Sequence, residues 1–291
     1  MADYQNPSAE LRARVALEKY KFRNTHSLGQ NFLLSDQLIG ALLDAAELQS
    51  GENVLEIGPG AGVMTRLLSE RCGRVLAVEL DQGLEPVLND VLEGAPNVSL
   101  VFRDIMKADL RSLTGAAFGG EGYRVVANLP YYITADVLLR LTDSQCPPDS
   151  ICVMVQREAA ERIMSAPGSK QWCAMAAQLQ YYGRARTLME VPPEAFDPPP
   201  HVVSQFIRID RYADPPVIPA DEALFRRLIH AAFAMRRKTL ANNLKASFGM
   251  SQEAARAALT AAGLDERVRG EALTLKELAR LADVLADAAE G

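Results

Sequence analysis

The sequence predicts an α/β protein: a largely parallel sheet covered on both faces by helices, followed by a small helical domain. Two textures and a break between them lead to this reading. From about Asn53 to Asp210, short β-branched runs alternate with stretches of helical spacing, the pattern of strands joined by crossover helices. After Asp210 the strand-like runs stop and Ala/Leu/Arg/Glu-rich helical stretches take over. Between the two lies Tyr212 to Pro219, whose three prolines read as a linker. The expected division is therefore residues 1–211 and 212–291.

Each element has its own signal. Strands are expected at Asn53–Ile57, Arg74–Leu80, Asn97–Phe102, Tyr123–Ala127, Ile151–Gln156, Thr187–Val191 and Val202–Ile209. Most are near-continuous apolar runs, as strands buried on both faces require. Gly62–Cys72, Asp81–Leu92, Thr134–Leu141 and Arg157–Met164 carry the helical spacing between them. Only a Pro-rich loop separates the last two strands, which predicts an antiparallel finish to the sheet. Beyond the linker, Asp221–Ala234, Arg237–Phe248, Ser251–Ala262 and Thr274–Ala288 read as helices. Gly249 and Gly263 stand where helix ends favour glycine. Each carries a short apolar stripe, so the helices are expected to pack on one another.

Composition narrows the class. The chain has 291 residues, 48% hydrophobic and 23% charged, which is an ordinary globular balance and excludes general disorder. At one domain per ~150 residues, length also points to two domains. Formal net charge is −6, which argues against a simple cationic nucleic-acid binder. The charge is uneven, however. Residues 11–30 hold five Lys/Arg against one acid, and residues 221–250 hold six against two. Cys72, Cys146, Cys152 and Cys173 form no C-x-x-C pair, and His26, His201 and His230 are scattered. No metal site and no disulfide framework are expected, and the thiols read as reduced and cytoplasmic. No apolar leader precedes Lys21, and no run approaches the ~18 apolar residues of a membrane span.

The chemistry gathers at strand ends. The first strand runs into Val54-Leu55-Glu56-Ile57-Gly58-Pro59-Gly60-Ala61-Gly62 and then a helix. Its G-x-G-x-G spacing differs from the dinucleotide fingerprint G-x-G-x-x-G, and alone it could be a plain strand-to-helix turn. Glu79 ends the second strand, seventeen residues after Gly62, and a carboxylate there suits the two ribose hydroxyls of an adenosine. Asp104 follows the third strand, where it could accept from an adenine amino group or merely cap a turn. The fourth ends in Ala127-Asn128-Leu129-Pro130-Tyr131-Tyr132. Pro130 fixes its own φ and holds Leu129 extended. The loop is thus a stiff array of acceptors beside an aromatic ring, suited to a planar amino group.

These runs resemble the amino-methyltransferases that use S-adenosylmethionine, and among them the ribosomal RNA adenine dimethyltransferase family (KsgA/RsmA type). Three further runs agree. They are His26-Ser27-Leu28-Gly29-Gln30-Asn31-Phe32-Leu33, Phe196-Asp197-Pro198-Pro199-Pro200-His201-Val202-Val203-Ser204, and Arg236-Arg237-Lys238-Thr239-Leu240 with Asn242-Asn243-Leu244. The resemblance covers roughly residues 20 to 280 in family order. It implies a Rossmann-like methyltransferase domain that dimethylates two adjacent adenines of small-subunit rRNA. Asn31 and Leu33 would contact the methionine part of S-adenosylmethionine. Gly58 and Gly60 would let the loop approach it, Glu79 would hold the ribose and Asp104 the adenine. Asn128, with Pro130, would sit between cofactor and target base. Tyr131 and Phe196 would sandwich that base, and Arg236, Arg237 and Lys238 would touch RNA phosphates. The implied partner is a small ribosomal subunit precursor, met by a monomer in the cytoplasm, with no membrane involved. The sequence departs from the family at Tyr132, where Asn is usual, and at Trp172-Cys173, where Tyr-Gly is common. His201 and Val203 replace a frequent Lys and Asp.

Three other readings compete. An NAD-dependent oxidoreductase conflicts with the glycine spacing and the N-L-P-Y run. A non-catalytic relative acting as an assembly or transcription factor conflicts with the intact Glu79, Asp104 and Asn128 set. A methyltransferase for DNA or protein amides conflicts with the terminal motifs.

Overall fold

The computed structural model describes residues 7–23 and 29–290, with side chains to residue 288. His26, Ser27 and Leu28 of the N-terminal motif lie outside the described residues. The chain divides into two compact units, residues 1–160 with 186–211 and residues 161–185 with 212–291.

The first unit holds most of a seven-stranded sheet. Its strands are β2 (Asn53–Ile57), β3 (Arg74–Glu79), β4 (Val98–Phe102), β5 (Arg124–Asn128), β6 (Ser150–Gln156), β7 (Gly183–Val191) and β9 (Ser204–Arg211). Their order is β4-β3-β2-β5-β6-β9-β7. The first five run parallel, and β9 pairs antiparallel to β6 with Ser204 opposite Gln156. This is the expected α/β class with its antiparallel finish. The central strands β2, β3, β5 and β6 are buried almost throughout, which explains their unbroken apolar runs. Chain order reverses direction at β2, between β3 on one side and β5 on the other. Ligands of open α/β sheets bind beyond the strand carboxyl ends at such a point.

The helices of this unit are α1 (Ala9–Lys19), α2 (Asp36–Ala45), α3 (Val63–Ser69), α4 (Glu85–Val91), α5 (Leu110–Phe118) and α6 (Thr134–Thr142). A two-stranded ribbon of β1 (Phe32–Leu33) and β8 (Phe196–Asp197) stands apart from the sheet. The α1, α2 and α5 helices and this ribbon go beyond the sequence expectation. At the carboxyl end of α2, the Ala46 carbonyl accepts from Arg124 at 2.8 Å and from Arg208 at 2.9 Å. Arg124, only 6% exposed, also bonds Ser150 Oγ and Glu52. Two guanidinium groups at a helix carboxyl end satisfy its orphan carbonyls and complement its dipole.

The second unit contains α8 (Ala174–Tyr182), α9 (Glu222–Ala234), α10 (Leu240–Phe248), α11 (Gln252–Ala261) and α12 (Leu275–Glu290). The unit boundaries fall inside α7 (Arg157–Ile163) and β7. The expectation drew one boundary, at 211/212; here residues 161–185 also group with the C-terminal helices. The reason is packing: Trp172, Ala176, Ala177 and Tyr181 share a buried cluster with Phe225, Leu228, Leu244 and Leu278. Trp172 is fully buried and donates its indole N–H to the Leu273 carbonyl at 3.1 Å. A second difference in this unit is local. The expected helix from Arg237 begins instead at Leu240, because Lys238 N–H turns back to the Met235 carbonyl and Asn243 Oδ1 accepts from Met235 N–H. No helix among the described residues is long and apolar enough to cross a membrane, and no cluster of His, Cys, Asp or Glu among them could hold a metal ion.

Candidate active site

An open cleft of roughly 1050 Å³ lies at the carboxyl ends of β2, β3, β4 and β5. Its wall includes Asn31, Leu33, Gly58, Gly60, Glu79, Asp104, Asn128, Pro130 and Tyr131. Nine residues singled out from the sequence thus meet in one cavity.

The loop after β2 explains its glycines. Gly58, Gly60 and Gly62 all take positive φ, at 72°, 56° and 80°. A Cβ on Gly60 would come within 3.0 Å of the Phe32 ring, and one on Gly62 within 2.9 Å of Leu88 Cδ2. The loop is therefore closed to larger residues by conformation and by space. Glu79 fastens it from the next strand. Its Oε2 accepts from Gly60 N–H at 3.1 Å, and its Oε1 from the N–H groups of Leu80 and Asp81, both at 2.8 Å. Burial pushes the Glu79 carboxyl above its ordinary range, and these backbone donors offset part of that rise.

Asp104 both caps a turn and lines the cleft. Oδ1 accepts from Met106 N–H at 2.9 Å, and Oδ2 lies 3.4 Å from Lys107 Nζ. Asn128 ends β5 half-buried and donates from Nδ2 to the Asn31 carbonyl at 3.1 Å. Its Oδ1 is thereby left as an acceptor. The strap carrying Asn31 is held twice more: Gln30 Nε2 bonds Asp81 Oδ2 at 2.8 Å, and Phe32–Leu33 pair with β8. In the N-L-P-Y loop, the Pro130 carbonyl already accepts from Thr134 Oγ1 at 3.1 Å and Ile133 N–H at 3.2 Å. Tyr131 is half-buried, and its hydroxyl lies 2.6 Å from Ser204 Oγ. The unusual Tyr132 is exposed at the cleft rim, its ring facing the side-chain-free surface of Gly29.

Phe196 is not part of the wall. It is 4% exposed, sits opposite Leu33 in the β1–β8 ribbon and packs into the core of the first unit. Arg236, Arg237 and Lys238 are exposed on the second unit, in the turn after α9. Arg236 pairs with Glu271 at 2.8 Å and donates to the Lys170 carbonyl. Among the described residues, Arg237 and Lys238 enter no ion pair.

The sequence reading passed over Glu56. It is 1% exposed in the middle of β2's carboxyl half and lines the cleft. Its Oε2 and the neighbouring Thr65 Oγ1 are both buried without a hydrogen-bond partner. Burial pushes the carboxyl up to about 8; the nearby Thr65 hydroxyl restrains the rise and the Glu79 charge adds to it. The available signal was an acid inside an otherwise apolar strand, a position that costs free energy unless a partner arrives.

Residues 21–287 match the family model described as ribosomal RNA adenine dimethylase. A relative from Shouchella clausii named "Ribosomal RNA small subunit methyltransferase A" is 41% identical over 277 residues, 94% of each chain. One of the same name from Alkaliphilus metalliredigens is 39% identical over 271 residues, 93% of this chain and 94% of the relative. A dimethyladenosine transferase from Plasmodium falciparum superposes with a TM-score of 0.67 at 20% identity, covering 85% of this chain and 94% of that one. The 23S rRNA methyltransferase ErmE gives 0.63 at 24%, covering 88% and 100%. At those identities the two structures speak to the fold alone.

Proposed function

The chain belongs to the ribosomal RNA adenine dimethylase family, and from that premise we propose how its cleft serves an S-adenosylmethionine-dependent rRNA adenine dimethyltransferase. The substrate we assign is the rRNA of a small ribosomal subunit precursor, methylated at the exocyclic amines of two adjacent adenines in the cytoplasm by a monomeric enzyme. The supporting observation is convergence: a glycine loop, Glu79, Asp104 and Asn128 border one cleft at the switch point of the sheet.

The residues suit this cofactor on physical grounds. Gly58 and Gly60, both at positive φ, present bare backbone to the cleft wall. The buried, unbonded Glu56 Oε2 needs a donor, and an amino-acid ammonium is one. Glu79 keeps acceptor capacity on each oxygen for ribose hydroxyls, and Asp104 keeps it on Oδ2 for an amino group. Asn31 and Leu33 border the methionine end, with Gly58 and Gly60 below. When bound, S-adenosylmethionine supplies an electrophilic methyl group on a sulfonium.

The protein's part is to ready the nucleophile. An exocyclic amine is weak because its lone pair is delocalised into the ring. Asn128 Oδ1 and the Leu129 carbonyl, the loop acceptor that the Thr134 and Ile133 bonds leave over, accept its two N–H bonds. Pro130 keeps that pair of acceptors rigid, and Tyr131 provides the stacking face. Phe196 contributes from behind, by supporting Leu33 across the ribbon. No general base is needed before attack, because the nitrogen loses its proton after it has become cationic. Positioning of this kind is worth ~7–11 kcal/mol of barrier. The target base must leave its stack to reach the cleft, and Arg236, Arg237 and Lys238 are assigned to phosphates.

The test is labelled methyl transfer to small-subunit particles lacking adenine dimethylation, followed by nucleotide mapping. Incorporation at two adjacent adenines is expected. Folded, cofactor-bound protein that transfers nothing to these particles overturns the assignment.

A further inference from the structure

Ser204 opens β9, and antiparallel pairing with β6 carries it to the cleft edge of the sheet, opposite Gln156. It is fully buried, and its Oγ lies 2.6 Å from the Tyr131 hydroxyl. This bond reaches across 73 residues of sequence to the far end of the one aromatic ring proposed to carry the base. We infer that Ser204 is a positioning residue for methyl transfer, holding the plane of the Tyr131 ring through the Ser204 Oγ–Tyr131 hydroxyl bond.

The physical argument begins with freedom. Tyr131 follows a stiff Leu129–Pro130 step, so its backbone is fixed while its ring still turns about χ2, a broad torsion. The ring plane then has to be set from its own tip. A hydroxyl on a fully buried strand residue does this, because a sheet position moves less than a loop. The burial of Tyr131 favours its neutral phenol, which keeps the bond intact through the working pH range. Hydrogen bonding at the tip leaves both ring faces to stacking, which contributes ~1–3 kcal/mol per base.

This inference rests on the proposed role of Tyr131, and the experiment separates the two. Ser204→Ala and Tyr131→Phe delete the same bond from opposite sides. Single-turnover methyl transfer to undermethylated particles is expected to fall about tenfold in each, with no further loss in the double variant. S-adenosylhomocysteine affinity and Tm are expected to stay at wild-type values. With 2-aminopurine at the target position of a short RNA, fluorescence quenching on binding is expected to weaken in both. Tyr131→Ala is the reference. If it is crippled while Tyr131→Phe transfers at the wild-type rate, Ser204 has no positioning role and the platform stands. If Tyr131→Ala is itself fully active, the platform reading fails first. Additive losses in the double variant also overturn the inference, because they would mean two unrelated effects. Tyr131→Phe keeps the test decisive should Ser204→Ala not fold.

Discussion

Glu56 is held in the sheet core with one unbonded oxygen, and its burial has a measurable sign. Its carboxyl rises from an ordinary 4.5 to about 8, so the folded protein binds a proton that the unfolded chain releases. That contribution to stability is complete below 4.5 and is lost as pH rises to about 8. The ligand-free protein is therefore expected to lose Tm between pH 5 and 8 relative to Glu56→Gln, in parallel thermal melts. The same substitution is expected to weaken S-adenosylmethionine binding roughly tenfold, since a hydrogen bond to a charged group is worth about 1.5–3 kcal/mol. Calorimetric titration checks this. Asn128→Ala is the complement: it removes an acceptor for the target amine and is expected to lower turnover roughly 100-fold, the order seen when one preorganised polar group is deleted, while RNA affinity changes little. Glu79, Asp104 and Asn128 are legible because each stands at or just beyond the carboxyl end of a strand. Glu56 was hidden because nothing in V-L-E-I-G says which face of a doubly covered strand opens on a cleft.

The elements that sequence patterning caught are those with strong periodicity or unbroken apolar runs; of those it missed, α1, β1 and β8 lack both, whereas α2 buries Ile39, Leu42 and Leu43 at helical spacing. The buried stripe of α1 is only Ala9, Ala13 and Ala16, and β1 and β8 are two residues each, too short to show alternation. The sheet finish was readable from a single Pro-rich connection. What the pattern could not show is how α2 is fixed against the lower edge of the sheet. Its last carbonyls, at Ala46 and Glu47, accept from Arg124, and Ala46 accepts from Arg208 as well. Arg124→Met strands the Glu47 carbonyl and the Ser150 hydroxyl and leaves the Ala46 carbonyl with Arg208 alone. A destabilisation of about 3 kcal/mol is expected, the cost of breaking a buried charged network by removing one partner. In urea unfolding it should appear as a lower midpoint with an unchanged slope.

Taken as a whole, the molecule has two compact units rather than two consecutive halves of chain. Trp172 is the single tryptophan, and it packs with Phe233 and against the Leu273 carbonyl. A chain ended at 211 keeps Trp172 and Tyr181 but removes the helices that bury them. It is expected to show red-shifted tryptophan emission and to self-associate, whereas a linear two-domain chain would survive the cut. Charge is likewise uneven at this scale. The total of −6 coexists with six basic residues against two acidic ones over 221–250. Long-range repulsion between an acidic protein and RNA is screened beyond roughly 8 Å at physiological salt, so local cations decide contact. Arg237 and Lys238 are exposed and free of ion pairs among the described residues, whereas Arg236 must first release Glu271. Arg237→Ala with Lys238→Ala is therefore expected to reduce the slope of log affinity against log salt by about 2, one unit per phosphate contact. The loss should be uniform across RNA sequences and leave S-adenosylhomocysteine affinity untouched, because these side chains meet phosphate rather than base or cofactor. Adding Arg236→Ala should change the slope by less than one further unit, since part of that charge is already spent on Glu271. Filter binding from low to physiological salt, on undermethylated particles and on unrelated RNA, measures the slopes and their uniformity, and calorimetric titration measures S-adenosylhomocysteine affinity; an unchanged slope would remove Arg237 and Lys238 from the RNA contact.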